Sequence, residues 1–257
     1  MSIAKQVTGW LLVLALLFAI LGIFGVVASA ASSRADRFAV EARVKADMAK
    51  DLALPHEISA SLTGRKCLDG RPVKDFQGEI IEYWTSMECP YCGIAEPLKA
   101  QRENSDICIV VRHAPASQYG ESLKKALAFE ALRTFSVNAA NRFWDVVVPK
   151  TSLGIPMPYE AALRSALEEA LISPEAFAEA IEKVSPQISQ DILAGQSRIN
   201  TTPTYVMRGI RFPACDFSAD QLPKALELAR KTRSDDSEAR NEAVGLITRG
   251  LLDEQIL

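Results

Sequence analysis

The stretch from Glu79 to Lys99, EIIEYWTSMECPYCGIAEPLK, constrains this chain most. A β-type run (Ile80, Ile81, Tyr83, Trp84) passes through a short polar turn into Cys89-Pro90-Tyr91-Cys92, and a helix-compatible segment comes next, from Ile94 to Gln101. The order is strand, two cysteines, helix. With Pro90 at the first helical position, where a missing N–H costs nothing and a fixed φ suits the turn, Cys89 becomes the N-cap. Its sulfur then faces unpaired backbone N–H groups and the positive end of the helix dipole, which favour thiolate over thiol. Cys92, three residues on, returns to the same helix face within disulfide reach. Cys89 is therefore the expected nucleophile, with a lowered pKa, and Cys92 its buried resolving partner.

A Cys-x-x-Cys is equally half of a zinc site, or a structural disulfide. Zinc would want a second close pair of Cys or His ligands. Here Cys67, Cys108 and Cys215 are single, and the only histidines, His56 and His113, are isolated. A redox dithiol fits the strand-then-Pro-in-helix context best, with no metal and no cofactor expected. Because soft thiolates suit Cu(I), delivery of copper or zinc by the same two cysteines stays open as an alternative.

A chain of 257 residues has room for one well-buried domain with additions, or two small ones. A formal charge of −3 gives no sign of nucleic-acid binding. Five cysteines are too few for a disulfide-dense scaffold, and the odd count leaves at least one unpaired within the chain.

Residues 1–31 form the first region. From Trp10 to Ala31 there is no charged side chain, and the run has about the ~20 residues that cross a bilayer as a helix. It reads as a membrane anchor or, alternatively, as a signal peptide cleaved at about Ala30, since Ala28-Ser29-Ala30 fits the small-x-small pattern. Lys5 precedes it and Arg34 and Arg37 come after it, so basic residues on both sides leave orientation open. Both readings export the rest of the chain into an oxidising compartment that suits a catalytic dithiol. Residues 32–54 read as a helical stalk, with Phe38, Ala42, Ala49 and Leu52 on one face of Asp36 to Leu52 and Lys45 interrupting it. The alternative is oligomerisation through 34–54.

From Pro55 to Gln77, short extended pieces with turns at Thr63-Gly64 and Asp69-Gly70-Arg71-Pro72 suggest a hairpin. Asp106 to Arg112 reads as a buried strand ending at His113-Ala114-Pro115, with Cys108 as a small buried hydrophobe. His113 either assists proton transfer near the dithiol or is structural. Ser122 to Val148 and Tyr159 to Gly195 carry helical periodicity, and Ser173-Pro174-Glu175 is a helix start. Pro203 stands just before a strand from Thr204 to Arg208, with a turn at Gly209, a second short strand, and a closing helix from Ser218 to Lys231. The tail, 233–257, contains a possible helix from Glu238 to Leu252 that either docks on the domain or binds a partner.

Taken together, Phe76 to Lys231 resembles the DsbA-like branch of the thioredoxin fold. The resemblance rests on ordered motifs: IIEYWTSMECPYC before a helix, VVRHAP closing the next strand, ALAFEAL and NRFWDVVV in a helical insertion, SPEAFAEAIE, and INTTPTYVMRGIRFPACDFSADQLPKAL. It implies an α/β thioredoxin fold over 55–232, with a helical domain inserted at about 118–197, preceded here by the N-terminal transmembrane segment. It also implies thiol–disulfide exchange on exported proteins in the periplasm, no bound cofactor, and a membrane oxidase or electron donor as redox partner.

Residue by residue, the resemblance makes Cys89 the attacking cysteine, Cys92 the resolving one, and Pro90 and Tyr91 the pair that tunes redox poise. It makes Pro203 a cis-proline lying against the dithiol, with the backbone of Thr202 free to pair with an extended substrate. Cys-Pro-Tyr-Cys with Thr before the cis-proline is similar to isomerases of the DsbG and ScsC type, which points to isomerase or mixed activity. A dedicated reductant, serving cytochrome c or metal-centre maturation, is the alternative. Glu82 resembles the family's buried carboxylate beneath the dithiol, a proton shuttle. It lies seven residues before Cys89 rather than six, which alternates its face unless a bulge intervenes. Glu88 is a second departure, and its charge opposes the thiolate and makes the dithiol less oxidising. Cys67 and Cys215, each beside a sheet edge in this arrangement, are the candidate structural disulfide, with Cys108 left over.

Overall fold

The computed structural model describes residues 34–46, 49, 62, 64–89, 91–93, 97–115, 120–148, 157–199, 201–213, 221–233, 238 and 240–245. They fall into two units that divide after Ala46. In the first, 34–46 form helix α1, on which Glu41 and Lys45 pair at 2.6 Å one turn apart and Phe38 stands exposed. The apolar run from Trp10 to Ala31 lies outside the described residues. Among those described, no helix is long and apolar enough to cross a membrane.

The second unit is built on a four-stranded sheet in the order β2-β1-β3-β4. Strand β1 (Glu79–Thr85) pairs in parallel with β2 (Ile107–His113), which is buried at every position. A strand covered on both faces reads as a continuous apolar run, which is what ICIVVRH supplies. β1 enters the sheet at Gly78, where a Cβ would stand 2.2 Å from the Asp106 carbonyl oxygen, so only glycine allows this approach. On its other side β1 pairs antiparallel with β3 (Thr204–Met207), which turns back into β4 (Ile210–Pro213). The loop residues Arg208 and Gly209 have φ of 51° and 82°, the two positive values that a two-residue hairpin turn matched to strand twist requires. Glu79 clamps this end by pairing with Arg208 at 2.6 Å and Arg230 at 3.1 Å.

Helix α2 (Pro97–Glu103) connects β1 to β2. Four helices, α3 (Glu121–Phe135), α4 (Val137–Val147), α5 (Tyr159–Glu169) and α6 (Pro174–Arg198), lie between β2 and β3. The periodic run from Ser122 to Val148 is thus two helices. Ser136 ends the first, its N–H on the Leu132 carbonyl, and caps the second, its hydroxyl accepting from Ala139 N–H at 3.2 Å. Ser173 caps α6 in the same way through Ala176 N–H. Tyr83 of β1, Tyr205 of β3, Phe129 of α3 and Trp144 of α4 meet in one aromatic cluster, with successive ring centroids 4.8 to 6.2 Å apart. Helix α7 (Leu222–Arg233) closes the unit, and 240–245 add a helical turn with Ala243 and Val244 buried and Glu242 on Lys224 at 3.0 Å.

Two features correct the expectations drawn from sequence. Cys67 is bonded to Cys108, across a separation of 41 residues, and not to Cys215, which lies outside the described residues. Leu68 N–H donates to the Ile109 carbonyl at 2.8 Å, so the Arg65–Leu68 segment runs beside β2 and brings Cys67 to Cys108. In place of a full hairpin, that region makes a single bridge between Lys66 and Pro72, with the turn at Gly70. The second correction is Glu82, whose partner is Arg112 at 3.1 Å. Arg112 stacks over Trp84 and lies 2.6 Å from Asp191 on α6, which also holds Arg65 in a two-pronged pair. Two guanidinium and two carboxylate groups thus neutralise one another in the core.

Candidate active site

β1 carries the chain to Ser86, where the turn begins. Ser86 carbonyl accepts from Cys89 N–H at 3.0 Å, and Cys89 carbonyl from Cys92 N–H at 3.1 Å, so both cysteines sit on consecutive tight turns. Pro90 and 94–96 lie outside the described residues. The turn is pinned at three points. Tyr83 hydroxyl donates to the Cys92 carbonyl at 2.6 Å, Ser86 and Ser122 hydroxyls meet at 2.9 Å, and Glu88 lies 3.7 Å from Lys125. Ser122 and Lys125 are both on the first turns of α3, so the helical insertion fixes the loop that presents the dithiol.

The two thiols have opposite surroundings. Cys89 is half-buried, and Cys92 is fully buried. The Cys92 thiol hydrogen-bonds the Cys89 sulfur and lowers its pKa most. Burial opposes this, while Thr202 and the backbone N–H groups of Tyr91 and Cys92 add to the lowering, bringing Cys89 to about 6. Those two N–H groups lie two and three residues beyond Cys89, the donors that an N-cap side chain reaches. Burial, and then its bond to Cys89 and the charge there, push Cys92 well above the ordinary thiol range. The Cys89 S–H points at the Thr202 carbonyl at 3.1 Å, and the Thr202–Pro203 peptide bond is cis.

Cys89, Cys92 and Thr202 are therefore brought together, with Pro203 next in chain and Tyr91 beside them. Glu82 is not. Alternation along β1 puts Tyr83 and Thr85 on one face, with Cys92, and Glu82 and Trp84 on the other, with Arg112. Glu88 is exposed, and Lys125 partners its charge. Sequence reasoning missed Thr85, Ser122 and Lys125. Thr85 was findable as the residue two beyond Tyr83 on the same face, whereas Ser122 and Lys125 arrive by tertiary contact. Among the described residues no group of three or more His, Cys, Asp or Glu is placed to hold a metal ion.

A mixed α/β sheet flanked by helices, a cis-proline strand beside a Cys-x-x-Cys turn and a helical insertion define the DsbA-like variant of the thioredoxin fold. Among solved structures, the chain is similar to the thiol-disulfide exchange protein alpha-DsbA2 from Wolbachia pipientis. That match has 15% identity and a TM-score of 0.52 and covers 74% of this chain and 97% of that one. BdbD from Bacillus subtilis, oxidised, matches at 19% identity over 66% of this chain and 98% of that one, with a TM-score of 0.49. ScsC from Proteus mirabilis in a transitional conformation matches at 15% identity over 90% of this chain and all of that one, 100%, also at 0.49. No family model matches the chain, and no curated protein matches it.

Proposed function

We propose that the protein is an enzyme, a thiol–disulfide oxidoreductase that forms or isomerises disulfide bonds in exported proteins through Cys89 and Cys92. The observation that carries this is the split between the two thiols: an accessible one brought to about 6 and a buried one pushed up beside it. At neutral pH Cys89 is mostly thiolate and Cys92 is thiol, as nucleophile and resolver require. Reduced Cys89 attacks a substrate disulfide and forms a mixed disulfide. The substrate's own thiols then rearrange it, or Cys92 displaces it. In the oxidising direction a substrate thiolate attacks Cys89 of the oxidised pair. Thr202 beside Cys89 offers backbone groups to an extended substrate, and Pro90 and Tyr91 tune the redox poise.

The catalytic unit works in the periplasm, exported by its N-terminal segment and either anchored in the inner membrane or released by cleavage at about Ala30. A membrane oxidase or electron donor resets the dithiol. The test is the reduction potential of the Cys89–Cys92 pair in the full chain, solubilised in detergent and equilibrated with glutathione buffers. A potential at or above that of glutathione supports oxidation or isomerisation, and refolding of a scrambled substrate separates the two. A far more negative, thioredoxin-like potential would move the protein to the dedicated reductants. Stoichiometric copper or zinc, with no mixed disulfides trapped by Cys92→Ser, would replace the enzyme reading with metal delivery.

A further inference from the structure

Release of substrate requires the buried Cys92 sulfur to be held on the Cys89 sulfur, and nothing in the thiol chemistry itself holds it there. The backbone does. Cys92 N–H donates to the Cys89 carbonyl at 3.1 Å, and the Cys92 carbonyl accepts from the Tyr83 hydroxyl at 2.6 Å. Bonds to both of its peptide groups fix φ and ψ of Cys92 and therefore the direction of its Cβ, so rotation about χ1 is the main freedom that the thiol keeps. The first of these bonds lies within the turn. The second ties the turn to the sheet.

Tyr83 is a firm anchor for that second bond. Its backbone is in the middle of β1, with Val111 of β2 opposite on one side and Tyr205 of β3 on the other. Its side chain is fully buried, and its ring packs against Tyr205, centroids 4.8 Å apart, and against Trp144 at 6.2 Å. Burial first, and then the charges on Cys92, Tyr205 and Cys89, push the phenol well above its ordinary range, so the hydroxyl keeps its proton and goes on donating while the cysteines change state. Its acceptor is a backbone carbonyl, which accepts equally well whether Cys92 is thiol, thiolate or half of a disulfide. A contact of this kind outlasts every step of the exchange.

We propose that Tyr83 is a positioning residue for the exchange reaction, its hydroxyl holding the Cys92 backbone so that the resolving sulfur stays at high effective concentration beside Cys89. This role rests on the thiol–disulfide function proposed above. In the step it serves, the Cys92 sulfur bonds to the Cys89 sulfur, the bond from Cys89 to the substrate sulfur breaks, and the substrate sulfur departs with that electron pair. The proton that Cys92 gives up ends on the departing sulfur. The cysteine pair is oxidised by two electrons and the substrate is reduced by two. Because this closure is intramolecular, its rate and its equilibrium constant both scale with the effective concentration of one sulfur at the other. Attack of Cys89 on an outside disulfide comes earlier and does not use Cys92. Loss of the Tyr83 bond should therefore slow release, leave adduct formation alone and make the closed pair less favourable, which raises its reduction potential.

The test uses the reduced full chain in detergent, mixed with oxidised glutathione and acid-quenched to follow formation of the Cys89–glutathione adduct and its release by Cys92. In Tyr83→Phe, which removes one hydroxyl and keeps the ring, release should be at least about threefold slower, with adduct formation within about twofold of wild type. The potential against glutathione should rise by about 15 mV or more, the same threefold converted at about 30 mV per tenfold for two electrons. Replacing Tyr83 by 4-aminophenylalanine, whose N–H stands in for the lost donor, should restore both. If Tyr83→Phe fails to fold, Trp144→Phe decides: it keeps the hydroxyl but loosens the ring, and release alone should slow by about twofold or more. Release slowed less than this in either variant, equal slowing of both steps, an unmoved potential in Tyr83→Phe, or a defect that the amino group does not relieve overturns the positioning role and leaves the enzyme in place. No adduct in the wild type would instead overturn the thiol–disulfide function, and the positioning role with it.

Discussion

Removing the Cys67–Cys108 bridge should cost the protein about as much stability as a single local change can. The bond closes 41 residues, from the turn before β1 to the second residue of β2. In the chain-entropy treatment, a loop of that length lowers the entropy of the denatured chain by about 13 cal/mol/K, or about 4 kcal/mol at 25 °C. Both cysteines are wholly buried among Leu62, Val73 and Val110, so Cys67→Ala/Cys108→Ala also loses two buried sulfurs, which deepens the deficit. Urea unfolding of the full chain in detergent, monitored by far-UV circular dichroism under oxidising conditions, reads the loss. With a slope of about 2–3 kcal/mol/M, the midpoint should fall by roughly 1.5–2 M. Peptide mapping after non-reducing digestion should recover Cys67 joined to Cys108, and Cys215→Ala should leave both the bridge and the midpoint unchanged. Loss of less than about 1 kcal/mol in the double variant, or recovery of Cys67 joined to Cys215, would refute the assignment.

The site and the core carry further expected outcomes. Alkylation of Cys89 by iodoacetamide should titrate with a midpoint near 6; at neutral pH the thiolate fraction is high, but the less basic sulfur is less nucleophilic, so the gain over an ordinary cysteine should be only several-fold. The same lowering acts on folding: in the reduced protein, the Cys89 contribution is fully present above the ordinary thiol range and is lost as pH falls through about 6, so reduced-state stability should rise with pH across that window. Lys125→Met leaves Glu88 and Glu121 without their cation, 3.7 and 3.5 Å away, and should raise the alkylation midpoint by roughly half a unit; Glu88→Gln in the same chain should bring it most of the way back. Asp191→Asn leaves Arg65 and Arg112 buried without their shared carboxylate and should destabilise the protein by roughly 3–5 kcal/mol in urea unfolding; a loss under about 1 kcal/mol would mean that the network is dispensable.

The parts that local chemistry dictates were readable in advance. β1, the Cys-x-x-Cys turn, β2, the Ser173 cap and the hairpin at Arg208-Gly209 each arise from a few neighbouring residues whose φ preferences, capping groups or apolar runs leave little choice. What could not be read depends on where distant segments meet. Cys108 looked like a small buried hydrophobe because nothing near it in sequence shows that Arg65–Leu68 runs along β2. Glu82 could be assigned a face by alternation, but its partner, Arg112, belongs to another strand and is held in turn by α6.

That displacement of Glu82 bears on how the site is tuned. A carboxylate beneath the dithiol would contribute a negative charge on the side of the sheet where the Cys89 thiolate must be stabilised. Here Glu82 is neutralised by Arg112 on the opposite face, and the nearer acidic group, Glu88, is matched by Lys125. The thiolate is then left to the Cys92 thiol, the Thr202 side chain and the turn's own N–H groups, all uncharged donors. Hydrogen bonds of that kind are screened by salt far less than surface charges are. The alkylation midpoint of Cys89 should therefore move by no more than a few tenths of a unit between low salt and about 1 M salt. A larger movement would show that charges such as Lys125 set the thiolate after all.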